Sequence, residues 1–142
     1  MTTLVVGASG ATGRLLVEQL LEQGEQVKII VRSVDNLPDS LIQNNLLSIT
    51  EACLLNMTDA ELLKQVEGCS AVASCLGHNL TFKGMFCHPR RLVTDGIQRL
   101  CQAIEKTRPE TPVKFILMNT TGNQNIRAGE TISTAQSVVI GL

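Results

Sequence analysis

Apolar positions along this chain change period repeatedly. Residues 2–6 end in an unbroken apolar run, Leu4-Val5-Val6, whereas residues 14–22 set Leu16/Leu20 and Val17/Leu21 four apart. The first pattern suits a strand buried on both faces, and the second builds one apolar face of a helix. Gly24 then supplies a stop. Residues 26–31 (Gln-Val-Lys-Ile-Ile-Val) are rich in β-branched side chains and predict a second strand. Residues 35–43 read as a loop plus a short helix broken by Pro38. A third strand is expected over 46–52. Thr58 with Glu61 three residues on forms a capping box, opening a helix that carries Leu62, Leu63 and Val66 and stops near Gly68. Residues 71–76 predict a fourth strand. The clearest helix is 91–106, with Leu92, Val93, Ile97, Leu100, Cys101 and Ile104 along one face. A fifth strand over 113–119 precedes a loop rich in glycine and asparagine. The last apolar stretch, 135–142, reads as a helix beginning near Thr134.

Short strands separated by helical patterns imply a parallel sheet covered on both faces. Right-handed crossovers then favour an α/β, Rossmann-type doubly wound parallel sheet, with five strands in the order 3-2-1-4-5. Residues 1–142 form one domain on this reading. The final apolar run stops without a cap and no sixth strand is reached, so the expectation includes a truncated sheet, the N-terminal part of a longer domain.

Composition narrows the function classes. With three Phe and neither Tyr nor Trp, the core must be aliphatic and stacking platforms for nucleic acid are scarce. A net charge of −1 supplies no basic footprint, so no nucleic-acid partner is expected. No run approaches the roughly 20 apolar residues that span a bilayer, and no basic leader precedes the first strand. A cytoplasmic protein without a membrane partner is the expectation. Five cysteines (Cys53, Cys69, Cys75, Cys87, Cys101) never fall in a CxxC pair. They read as reduced thiols, with neither a disulfide framework nor a zinc site.

Chemistry concentrates at Gly7-Ala8-Ser9-Gly10-Ala11-Thr12-Gly13, between the first strand and the first helix. Three glycines let the backbone turn sharply and leave space for a close-lying ligand. A helix starting there aims unpaired N–H groups and a positive dipole end at an anion, usually a phosphate. A P-loop is excluded, because its spacing and its Lys-Ser/Thr are absent and Gly13 is followed by Arg14. After the second strand comes Arg32-Ser33, with no acid until Asp35. A dinucleotide site selective for NAD usually has a carboxylate there to bind the ribose hydroxyls. Arg32 could form charge-assisted bonds to a 2′-phosphate, and Ser33 could add a hydroxyl. NADP is therefore favoured over NAD as cofactor.

These residues, with Ile30-Val31-Arg32, the turn Val66-Glu67-Gly68-Cys69-Ser70-Ala71-Val72 and Leu76-Gly77, carry a resemblance. From Met1 to about Gly122 the chain resembles the atypical short-chain dehydrogenase/reductases with an NAD(P)H-binding domain. That group includes the NmrA-like proteins and the flavin/biliverdin reductases. The resemblance implies that Gly7, Ser9, Gly10, Ala11, Thr12 and Gly13 lie along the pyrophosphate, with Arg32 and Ser33 on the 2′-phosphate. It implies that Leu54 packs on adenine, where the group's usual Gly-Asp-hydrophobic is replaced by Ala52-Cys53-Leu54. Leu76, Gly77 and His78 would pass beside the ribose on the nicotinamide side.

The reacting end departs further from the group. A Tyr general acid with a Lys four residues later cannot operate here, because the sequence has no Tyr. Asn119-Thr120-Thr121-Gly122 stands where a catalytic Ser is usual, so Thr121 is a candidate for positioning substrate. His78 has the pKa range for acid–base work and is the other candidate. The mixed segment 80–91, with two Phe, Met85, Lys83 and His88, could grip a flat or anionic substrate, or serve as a lid or subunit contact. Two functions follow. One is an NADPH-dependent reductase acting on a small flavin-like or conjugated carbonyl substrate. The other is a non-catalytic NADP(H)-sensing protein with a regulatory protein partner.

Overall fold

A computed structural model describes residues 1–77 and 92–118. Its strands are β1 (Thr2–Val6), β2 (Gln26–Val31), β3 (Leu47–Glu51), β4 (Ala71–Ser74) and β5 (Lys114–Leu117). Its helices are α1 (Ala11–Glu22), α2 (Asp39–Ile42), α3 (Asp59–Val66) and α4 (Leu92–Thr107), with a 3-10 turn over Val34–Asn36. All neighbouring strands pair in parallel, in the order β3-β2-β1-β4-β5. This is the expected Rossmann-type sheet.

Strand alternation divides the core in two. Leu4, Val6, Ile30 and Val72 pack with Leu62, Val66 and Leu100 on the α3–α4 side. Val5, Ile29, Val31 and Ala73 pack with Val17 and Leu21 on the α1 side. Register makes this consistent, since Val5 lies between Ile29 and Ala73. A strand buried on both faces needs no polar positions, which explains the apolar runs in β1 and β2.

Element starts are where expectation and structure part. The first helix begins at Ala11 and not at Arg14, so Gly13 is a buried helical residue. Glycine is a poor helix former, and it occupies this position for close packing. Pro38 does not break a helix; it precedes the first residue of α2 in extended conformation, where its missing N–H costs nothing. The predicted helix over 135–142 lies outside the described residues. Among those residues no helix is long and apolar enough to cross a membrane.

The capping box forms as predicted. Thr58 N–H donates to Glu61 Oε2 at 2.7 Å, and Glu61 N–H donates to Thr58 Oγ1 at 3.3 Å. At the other end of α3, Lys28 Nζ donates to the carbonyls of Gln65 (3.2 Å) and Glu67 (3.0 Å), a cation where the dipole favours one. Asp59 joins α3 to α4, accepting from Lys106 Nζ at 2.8 Å and from Arg99 Nη2 at 3.3 Å.

Two carboxyls are thereby held below their ordinary values. Lys106 and then Arg99 lower Asp59, and the Thr58 backbone N–H lowers Glu61. A depressed folded value means the stabilisation is complete above the unfolded carboxyl range, about 4, and is lost as pH falls through the folded values. Asp59→Asn with Glu61→Gln should therefore be less stable than wild type at pH 7, and the gap should narrow progressively as pH falls below about 4. Urea unfolding across that range checks it; a constant gap would mean the pairs do not couple to folding.

Candidate cofactor site

The glycine turn is built by steric necessity. Gly7 follows β1 with φ +78°, and a Cβ there would stand 2.5 Å from the carbonyl oxygen of Cys75. The Gly7 carbonyl accepts from Gly10 N–H at 3.1 Å, and the Gly10 carbonyl accepts from Arg14 N–H at 2.9 Å, which starts α1. A Cβ on Gly13 would collide with the Gly7 carbonyl oxygen. So α1 can approach the end of β1 only with glycine at 13, and the chain leaving β1 can pass the end of β4 only with glycine at 7. The first turn of α1 has no side-chain cap and no acidic residue. Its leading N–H groups lack helical acceptors and present a positive end without internal neutralisation.

Above that turn lies a cleft of about 230 Å³ at the carboxyl ends of the strands. Gly7 and Ser9 to Gly13 line one side, and Ile30, Val31 and Arg32 at the end of β2 line another. Ala52, Cys53 and Leu54 follow β3, Cys75, Leu76 and Gly77 follow β4, and Met118 follows β5. The strand order turns back between β1 and β4, and this is the switch point at which open α/β sheets bind ligands.

Of the residues singled out as cofactor contacts, Gly7, Ser9, Gly10, Ala11, Thr12, Gly13, Arg32, Leu54, Leu76 and Gly77 all line this cleft. Ser33 does not line it. Its hydroxyl donates to Asp35 Oδ2 at 2.8 Å and accepts from Asp35 N–H at 3.1 Å, capping the 3-10 turn. His78, Thr121 and the segment 80–91 fall outside the described residues. Sequence reasoning missed Met118 and Arg99. The first is an apolar strand end like many others, and the second is a helix cation whose partners lie some forty positions away.

The cysteines need one correction. Cys53 is disulfide-bonded, while Cys69, Cys75 and Cys101 are free. Pairing depends on distance in space, which motif spacing does not reveal. Cys75 borders the cleft, but burial pushes its thiol up, so it stays protonated and unreactive at neutral pH.

A profile of the NAD(P)H-binding family matches residues 7–136, from the first glycine of the turn onward. The chain belongs to the NAD(P)H-binding family. Among curated protein sequences none matches it. Solved structures of the same fold include the oxidoreductase ylbE from Lactococcus lactis, 22% identical with a TM-score of 0.67, covering 99% of this chain and 57% of that one. A short-chain dehydrogenase/reductase from Veillonella parvula in complex with NADP is 13% identical, TM-score 0.70, covering 99% and 55%. UDP-glucuronic acid 4-epimerase from Bacillus cereus, in complex with UDP-glucuronic acid and NAD, is 22% identical, TM-score 0.67, covering 86% and 41%. At these identities the likeness is one of fold. This NAD(P)H-binding chain spans between 41% and 57% of the length of those structures.

Proposed function

We propose that the cleft holds NADP(H), and that the protein is a reductase moving hydride from NADPH to a small flavin-like or conjugated carbonyl acceptor. One observation carries the cofactor choice: Arg32 lines the same cleft as the uncapped first turn of α1. NADP(H) carries two separated anionic groups, a diphosphate and a 2′-phosphate. The α1 turn suits the first, and a guanidinium, forming paired charge-assisted bonds, suits the second. Asp35, the first acid after β2, is not among the cleft residues and is bonded to Ser33.

The residues fit this group sterically as well, because Gly13 lets α1 close on the end of β1, and Gly10, the middle glycine, puts no side chain between the backbone and the diphosphate. In the proposed complex the N–H groups at the start of α1 hold the diphosphate and Arg32 holds the 2′-phosphate. Leu54 packs on adenine, while Leu76 and Gly77 border the nicotinamide-side ribose. When bound, NADPH supplies the hydride. The chain's part is to orient the ring and exclude water. A flavin takes hydride with little help from a protein acid, which suits a sequence without Tyr. The oxidoreductase name of one structural relative agrees with this reading.

Calorimetric titration with NADPH and NADH tests the proposal. Arg32→Ala should weaken NADPH binding about 10- to 100-fold, the range expected for losing hydrogen bonds to a charged group. NADH affinity should change by less than about threefold. Equally weak binding of both cofactors by wild type would overturn the assignment of Arg32. Tight NADPH binding without oxidation by flavins or quinones would instead favour an NADP(H)-sensing protein.

A further inference from the structure

Arg99 is not a cleft residue, yet it grips the loop that forms one wall of the cleft. It lies on α4, with a side chain 21% exposed. Nη1 donates to the carbonyls of Leu54 at 2.8 Å and Leu55 at 3.0 Å. Nη2 donates to the carbonyl of Met57 at 2.5 Å and to Asp59 Oδ1 at 3.3 Å. These three carbonyls lie between β3 and α3, outside any ladder or helix. One planar, charged fork with five donors thus satisfies most of an irregular loop.

Helix α4 also touches the cleft walls from behind. One turn before Arg99, a Cβ on Gly96 would stand 3.0 Å from Leu54 Cδ2 and 3.2 Å from Leu76 Cδ1. Close approach at Gly96 and the fork at Arg99 therefore act on the same short segment. Leu54 is 5% exposed and lines the cleft, so a small loop displacement moves that wall.

We propose that Arg99 is a positioning residue for the adenine-side wall of the cleft, fixing Leu54 through the backbone of residues 54–57. The proposal rests on the reading of the cleft as an NADP(H) site. Lysine cannot replace the fork fully, because an ammonium is a point donor without the paired planar geometry. Asp59 would keep Lys106 as its partner at 2.8 Å if Arg99 were lost, so the ion pair itself is not what the cleft depends on.

The test uses Arg99→Met and Arg99→Lys with the full chain, under reducing conditions, because the Cys53 disulfide lies in the same loop. NADPH, 2′,5′-ADP and inorganic pyrophosphate are titrated in parallel. Arg99→Met should weaken NADPH and 2′,5′-ADP alike, by roughly tenfold. Pyrophosphate, which needs only the α1 turn, should bind unchanged. Arg99→Lys should recover part of the loss, and if Arg99→Met does not fold, Arg99→Lys alone must still bind 2′,5′-ADP more weakly than wild type. Amide hydrogen exchange without ligand should quicken over residues 53–57 and stay unchanged in β1 and β2. Wild-type affinity for 2′,5′-ADP in folded variants, or unaltered exchange in the loop, would overturn the proposal. Should wild type bind no nucleotide, the cleft reading fails, and exchange still reports whether Arg99 holds the loop.

Discussion

Gly7→Ala is expected to destabilise the protein by about 3 kcal/mol and lower its melting temperature by roughly 10 °C. Two costs combine. At φ +78° an L side chain is strained, and the added methyl would lie 2.5 Å from the Cys75 carbonyl oxygen. Neither cost can be relieved cheaply, because β1 and β4 are paired beside it, with Cys75 N–H donating to Val6 at 2.9 Å. A shift of the chain at Gly7 would carry the α1 turn with it, so NAD(P)H binding should fall alongside stability. Gly24→Ala is the control: its φ of +76° is similar, but its Cβ would meet nothing within 4 Å. That substitution should show only the conformational part, about 1–2 kcal/mol. Circular dichroism melts of both variants decide the matter. Equal losses would mean that the close approach to Cys75 contributes nothing.

Leu100→Ala should be of similar size, at about 3 kcal/mol. Leu100 is 0% exposed and sits in the cluster formed by Leu4, Val6, Leu62 and Val72. Strands of a parallel sheet cannot collapse onto the vacated space without breaking their pairing, so much of the cavity remains. Leu15→Ala removes the same atoms from a side chain 55% exposed and should cost under about 0.5 kcal/mol. Urea midpoints give both values, and comparable losses would contradict the assignment of α4's buried face.

The central strands β1, β2 and β4 were legible because each is packed on two sides, leaving apolar runs with few competing readings. The start of α1 was not, because Gly13 has the wrong propensity for its helix and the right size for its contact with Gly7. The cleft was largely legible for a related reason: backbone approach and a helix end demand glycine at fixed spacing. That Arg32 borders the cleft was legible because it directly follows β2, whose carboxyl end opens onto it. Ser33 looked similar, but a hydroxyl two residues before a carboxylate has a local partner ready, and Asp35 takes it. Arg99 could not be found at all. Its carbonyl partners carry no side-chain signature, and the helix on which it lies advertises only its apolar face.

The uncapped start of α1 also sets the protein's relation to its solvent. Many helices cap their first turn with a side chain or place an acid in it, and α1, which starts from Gly10, has neither. Water must satisfy those N–H groups whenever no anion does. Sulfate, phosphate and chloride in a buffer are therefore rivals for one place, and raising salt also screens the attraction that draws a dinucleotide in. Apparent affinity becomes a property of the ionic background as much as of the chain, and values taken in different buffers will rank ligands differently.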